Sequence, residues 1–279
     1  GWEVARRAKD SSVRALGKGQ LDIADKTSVQ EAIGALRPKV VVNAAAYTAV
    51  DKAETEREAA FAINRDGPAH LAAACDTSGA TLIHISTDYV FDGAKPGAYR
   101  EDDPTAPLGI YGVSKLGGEE EVRAITPRHV ILRTAWVHGI HGHNFVKTML
   151  RLARERDVLR VVDDQHGCPT FAGDLAEAIL TIAGRAVAGT MPAFGHGTFH
   201  CVGGGQTTWC GFARRIVADA AARIGKLPRV EAIATADYPT PAKRPANSVL
   251  DCAKLAQVYG VTLRPWEEGL AEMLAGTLG

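Results

Sequence analysis

Apolar and β-branched residues recur along this chain in short continuous runs separated by longer stretches of helical spacing. That alternation is its strongest structural signal. The run Lys39-Val40-Val41-Val42-Asn43-Ala44-Ala45-Ala46 has strand length and no apolar/polar alternation, which predicts a strand buried on both faces. Ahead of it, Ser28-Val29-Gln30-Glu31 has capping-box spacing and predicts a helix that stops before Pro38. After it, residues 54–78 are alanine-rich and end at Gly79, and Gly67-Pro68 predicts a division into two helical pieces. Thr81-Leu82-Ile83-His84-Ile85-Ser86 predicts a second strand, followed by a long loop to Pro107, a helix over 108–124 and a strand over 129–137. Strands alternating with helices of this length are βαβ units, so the predicted fold is α/β, a Rossmann-like parallel sheet covered on both faces.

Beyond Thr170 the pattern loosens. It predicts helices over 172–184 and 208–225 on either side of a glycine-rich stretch that includes Gly203-Gly204-Gly205. A short strand over 229–234 and two terminal helices, 251–259 and 265–278, follow. Between them, Tyr238-Pro239-Thr240-Pro241-Ala242-Lys243-Arg244-Pro245 predicts a rigid loop, because proline fixes φ and donates nothing to a ladder. The organisation predicted is a dinucleotide-binding domain over 1–170 and a smaller, mainly substrate-binding lobe over 171–279, with some segments returning to the first domain.

Composition narrows the function. The 279 residues suffice for a substantial core, and 46% hydrophobic with 23% charged residues is an ordinary globular mixture. No apolar run approaches membrane-spanning length. Lys plus Arg and Asp plus Glu each number 32, so there is no basic excess to hold a phosphate backbone, and nucleic acid is not expected as a partner. The five cysteines, Cys75, Cys168, Cys201, Cys210 and Cys252, show no C-x-x-C spacing, which fits a reducing cytoplasm. Nothing in the sequence chooses between a monomer and a homodimer.

Against that background three places carry chemistry. Tyr111-Gly112-Val113-Ser114-Lys115 puts a phenol and an ammonium one helical turn apart on one face. A cation so placed lowers a tyrosine pKa toward a useful range; the plainer alternative is a half-buried Tyr beside a solvated Lys. Ser86-Thr87-Asp88-Tyr89-Val90-Phe91 closes a predicted strand, so Thr87 is expected at a carboxyl end, where open α/β sheets bind ligands, unless it is only a turn residue. Asn43-Ala44-Ala45-Ala46-Tyr47-Thr48 ends the preceding strand in small side chains that let a flat cofactor approach, or that simply pack tightly.

Together with Leu21-Asp22-Ile23, these motifs in this order resemble the extended short-chain dehydrogenase/reductase superfamily. More narrowly, the stretch from Asn43 to Glu54, Arg133-Thr134-Ala135-Trp136-Val137, Asn144-Phe145-Val146-Lys147-Thr148-Met149-Leu150 and the Pro-rich segment through Asn247-Ser248 resemble the dTDP-4-dehydrorhamnose reductase family over nearly the whole chain. The resemblance implies reduction of the 4-keto group of a dTDP-4-dehydro-L-rhamnose substrate to dTDP-L-rhamnose by hydride from NADPH or NADH. It implies Tyr111 as proton donor, Thr87 as a hydrogen-bond donor to the same oxygen, and Lys115 on the nicotinamide ribose. It further implies that Ala46, Tyr47 and Thr48 line the cofactor, that Asp22 and Ile23 lie near the adenine, and that Thr87, Asp88 and Trp136 touch the dTDP-sugar; for Trp136 core packing is the alternative. No acid near Ala15-Leu16-Gly17-Lys18 is placed to hold a ribose diol, and Lys18 favours a 2′-phosphate, so NADPH is the expected cofactor.

In some family members an acidic residue matching Glu3 helps bind Mg²⁺ at a dimer contact, but no clear acidic pair is seen near 171–174, and no metal is expected. The histidines of His138-Gly139-Ile140-His141-Gly142-His143 lack a completing carboxylate or thiol, and Gly112-Val113-Ser114-Lys115-Leu116 fails the nucleophile-elbow pattern. Two other readings stay open: a non-catalytic NADP-binding regulatory subunit of the methionine adenosyltransferase type, and a reductase or epimerase of another nucleotide-sugar. Finally, a dinucleotide fold is expected to open with a strand running into G-x-x-G-x-x-G. Gly1-Trp2-Glu3-Val4 matches the family from the third glycine, so Gly1 is expected at the cofactor and the natural protein is expected to begin upstream.

Overall fold

A computed structural model describes residues 1–8 and 13–278. It begins with α1 (Trp2–Arg7), α2 (Lys26–Leu36) and β1 (Val40–Asn43). Helix α2 starts before the predicted capping box: Asp25 is its cap, accepting the Thr27 N–H at 2.9 Å, because an Asp side chain satisfies an otherwise orphaned first-turn donor. Short helices α3 (Val50–Ala53) and α4 (Arg57–Phe61) lead into a π-helical turn, Ala62–Asp66, that runs directly into α5 (Gly67–Ser78). Gly67-Pro68 therefore does not separate two helices. The proline sits in the first turn of α5, where its missing N–H is harmless, and the wide turn before it absorbs the irregularity.

Next come β2 (Thr81–Thr87), α6 (Ile110–Ile125) and β3 (His129–Thr134). The strand predicted to reach residue 137 stops at Thr134, because Trp136 adopts φ 48, and β4 (Val137–His138) is a separate short strand. Helix α7 (Phe145–Glu155) buries Val146, Met149, Leu150 and Ala153, an i, i+3, i+4, i+7 stripe. Then follow β5 (Val158–Val162), β6 (His166–Gly167), β7 (Thr170–Phe171), α8 (Ala172–Ala188), β8 (Gly197–His200), β9 (Thr207–Thr208), α9 (Trp209–Ile224), β10 (Arg229–Ile233), α10 (Ala253–Tyr259) and α11 (Trp266–Leu278).

The main sheet has the order β1-β2-β3-β8, all parallel. Successive residues face opposite sides: Leu82 and Ile131 join the core formed with Val29, Leu71 and Val122, while Ile83, Val130 and Leu132 join that of Ile179, Ile182 and Phe199. Both faces are covered, which is why adjacent apolar residues such as Leu82 and Ile83, or Val130, Ile131 and Leu132, are all buried. A second body pairs β5 with β10, in parallel, over a core built from α7, α9 and α11. The chain crosses between the bodies on both sides of residue 170: α7 and β5 precede it in the second, α8 and β8 follow it in the first. A smaller core containing Phe91, Tyr99, Ala135 and Leu250 lies beside the carboxyl end of the sheet. Among the described residues, no helix is long and apolar enough to cross a membrane.

Candidate active site

Thr87 is the last residue of β2 and caps the 3-10 turn Asp88–Val90, its Oγ1 accepting the Tyr89 N–H at 3.2 Å and donating to Asp88 Oδ1 at 2.9 Å. Tyr111 lies in the first turn of α6, which packs against that turn. The approach requires glycine: a Cβ on Gly112 would stand 2.3 Å from the Tyr89 carbonyl oxygen. The rings of Tyr89 and Tyr111 meet edge to face at 5.5 Å. Strand end and helix start thus bring Thr87, Asp88 and Tyr111 together, and Lys115 follows one turn along α6, buried.

The electrostatics differ from the sequence expectation in one respect. Burial pushes the Tyr111 phenol up to about 12, Asp88 adds to the rise, and a hydrogen bond with Thr87 opposes it. Lys115 does not lower it, because its ammonium donates to the Ile85 carbonyl at 2.6 Å; burial brings Lys115 down to about 8, with Glu119 opposing. The phenol is therefore held protonated, the form a proton donor needs. Burial also raises Asp88 to about 6, against hydrogen bonds from Ser248 and Thr87.

Sequence reasoning missed what lies beneath. Glu119, one turn beyond Lys115, is fully buried and accepts from Ser86 Oγ at 2.5 Å and from Arg133 Nη2 at 2.7 Å. The spacing of Tyr111, Lys115 and Glu119 at i, i+4 and i+8 was the available signal.

The loop after β1 is open to solvent at Ala44, Ala45 and Thr48, and Gly1 adjoins it, a Cβ there falling 3.8 Å from that of Ala44. Ala46 and Tyr47 are half-buried. Asn64, in the π-helical turn, accepts the Tyr47 N–H at 2.8 Å, donates to the Tyr47 carbonyl at 3.0 Å, and donates to Ser114 Oγ at 3.0 Å. This second missed residue ties the loop to the Tyr111 helix. Asp22 is half-buried and accepts the Ala24 N–H at 3.0 Å, while the Ile23 side chain is buried in the core against Gly67. Residues 15–18 are exposed.

Trp136 stands apart from this group in sequence, and its surroundings are aromatic. Its indole stacks on Trp209 with ring centres 3.6 Å apart and planes 9° from parallel. It packs against both the second body's core and the small core beside Phe91, so packing is an observed role.

The structure gathers more acid around Glu3 than the sequence suggested. Arg7 bonds Glu3 and Glu272 at 3.1 and 2.7 Å and also pairs with Glu177, while Arg264 bonds Asp174 at 2.9–3.0 Å and Glu272. One buried oxygen, Oε1 of Glu3, is left without a partner. The residues fit guanidinium groups between these carboxylates, not an open oxygen cage. Among the described residues no three His, Cys, Asp or Glu side chains are arranged to hold a metal ion.

A parallel sheet with helices on both faces, a small-residue loop at one strand end, and a threonine and a Tyr-x-x-x-Lys helix at the next define the class: an extended short-chain dehydrogenase/reductase with a Rossmann-like fold. Within it the chain belongs to the dTDP-4-dehydrorhamnose reductase family, since the model of the RmlD substrate binding domain matches residues 1–278. A dTDP-4-dehydrorhamnose reductase of Sinorhizobium fredii is 46% identical over 270 residues, covering 97% of this chain and 91% of its own. The Clostridium acetobutylicum dTDP-4-dehydrorhamnose reductase structure superposes with a TM-score of 0.90 at 39% identity, over 99% of this chain and 94% of its own. A Bacillus anthracis dTDP-4-dehydrorhamnose reductase, solved in complex with NADP, superposes with a TM-score of 0.89 at 34% identity, over the same shares of the two chains.

Proposed function

We propose that the protein reduces the 4-keto group of dTDP-4-dehydro-L-rhamnose to dTDP-L-rhamnose with NADPH, in a reducing cytoplasm in keeping with its five free cysteines. The observation that carries this reading is Tyr111, half-buried with its phenol pushed up to about 12, beside Thr87 at the carboxyl end of β2. Gly1, the 46–48 loop and the Asp22–Ile23 turn would hold NADPH, which would supply the hydride for the new C–H bond. As the carbonyl π pair moves onto oxygen, Tyr111 gives that oxygen its phenolic proton and Thr87 donates a hydrogen bond to it. The phenolate left behind is stabilised by the Lys115 ammonium once that group turns from Ile85 O toward the ribose and Tyr111. Asp88 and Trp136 face the sugar nucleotide. A regulatory subunit has no need of Thr87, Tyr111 and Lys115 together, and this favours the enzyme.

The test follows NADPH absorbance with dTDP-4-dehydrorhamnose for the parent and Tyr111→Phe. Turnover should fall by about 10²–10⁴-fold in the variant, with NADPH affinity nearly unchanged. A kcat near that of the parent would overturn the assignment.

A further inference from the structure

The Pro-rich segment, residues 238–248, forms a strap across the site. Asn247 Nδ2 donates to the Lys95 and Gly97 carbonyls at 2.9 and 2.6 Å, and Pro245 packs directly over Gly93, whose Cβ would fall 2.6 Å from that of the proline. The strap thus covers the loop that follows the Thr87–Asp88 turn.

Its other end is held by a different part of the chain. Arg244 grips Asp51 with both guanidinium nitrogens, Nη1 to Oδ1 at 2.8 Å and Nη2 to Oδ2 at 2.9 Å, and the Ala242 N–H donates to the same carboxylate at 3.2 Å. Among the described residues, the hydrogen bonds that the Asp51 side chain accepts come from the strap. Arg244 is mostly covered, and the pair lowers the Asp51 carboxyl. A two-bond guanidinium–carboxylate fork fixes direction as well as distance, which a single lysine bond does not.

Asp51 belongs to α3, the helix that directly follows the loop at 46–48. One residue past its end, Glu54 Oε1 accepts the Ile110 N–H at 2.8 Å, at the start of the helix that bears Tyr111. This four-residue helix and the residue that follows it thus place one carboxylate on the strap and another on α6, next to the 46–48 loop.

We infer that Asp51 and Arg244 are positioning residues that form a latch, through which ordering of the 46–48 loop by dinucleotide holds the strap closed over the sugar-nucleotide site, so that the two ligands bind cooperatively. The inference rests on the functional reading above for the identity of the two ligands. By linkage, the sugar nucleotide then tightens the dinucleotide by the same factor.

The experiment titrates NADPH by its fluorescence with and without saturating dTDP, in the parent and in Asp51→Asn. In the parent, dTDP should tighten NADPH by about 5-fold or more. In Asp51→Asn the factor should fall toward one, while NADPH affinity without dTDP changes little. Arg244→Lys keeps the charge but not the fork and should fall between the two, and the exchange Asp51→Arg with Arg244→Asp should recover part of the coupling. A parent that binds NADPH with no effect of dTDP, or an Asp51→Asn variant with undiminished coupling, overturns the latch alone. A parent that binds no NADPH overturns the functional reading and the latch with it.

Discussion

Both carboxylate oxygens of Glu119 accept from Arg133, Nε to Oε1 at 2.9 Å and Nη2 to Oε2 at 2.7 Å, across the gap between α6 and β3 with neither side chain reached by solvent. Ser86 on β2 and Arg123 on α6 donate to the same carboxylate. These bonds join the helix that carries Tyr111 to the strands beneath it, and the geometry of the site depends on them.

Removing one partner of such a pair leaves a buried charge uncompensated. Glu119→Ala should lose about 3–5 kcal/mol in urea unfolding, and the paired change Glu119→Leu with Arg133→Met should recover most of it. A single variant as stable as the parent would mean that water reaches Arg133.

Lys115 is a different case, because burial works against it. The unfolded chain keeps this proton up to about pH 10.5 and the folded protein only to about 8, so stability rises with pH across that window and the full penalty applies below it. The penalty is on the order of 3 kcal/mol, partly offset by the Ile85 carbonyl bond. Lys115→Met should therefore melt no lower than the parent at pH 7 while losing most of its turnover. A clear drop in melting temperature would make Lys115 structural.

Asp88 should show the opposite pH window. The folded protein holds its proton up to about pH 6 and the unfolded chain only to about 3.8, so stability is lost as pH rises between those values. Asp88→Asn should raise the melting temperature at pH 7.5, by a gain on the order of 3 kcal/mol at most, and the gain should vanish near pH 4. A pH-independent difference would place the effect in packing and not in ionisation.

Gly167 lies under the stacked indoles. A Cβ there would fall 2.4 Å from Trp136 Cε2, and Trp136 already holds a left-handed backbone at φ 48. Gly167→Ala should displace the ring from Trp209, costing about 1–3 kcal/mol, abolish the near-UV circular dichroism of the stacked pair, and raise KM for the sugar nucleotide more than it lowers kcat. An unchanged spectrum would show that the pocket relaxes elsewhere.

The sequence by itself determined the parallel α/β fold, because strands covered on both faces carry consecutive apolar residues, as β1, β2 and β3 do at Val40–Val42, Leu82–Ile83 and Val130–Leu132. It also determined that Tyr111 and Lys115 lie one turn apart on one helix, since i and i+4 is a local relation. What remained hidden is non-local or irregular. Strand β8, short and set among glycines, takes its place only by pairing with β3. Trp136 ends its strand early through a backbone conformation that composition does not betray. The bonds from Arg133 to Glu119, from Asn64 to Tyr47 and from Arg244 to Asp51 join residues separated by 14, 17 and 193 positions. Only the tertiary structure decided these contacts, because a buried charge or amide takes whatever partner the packed chain brings within reach. The same packing reversed the expected effect on Tyr111: spacing placed a cation nearby, but burial of the phenol and the pull of Ile85 on Lys115 set its proton affinity.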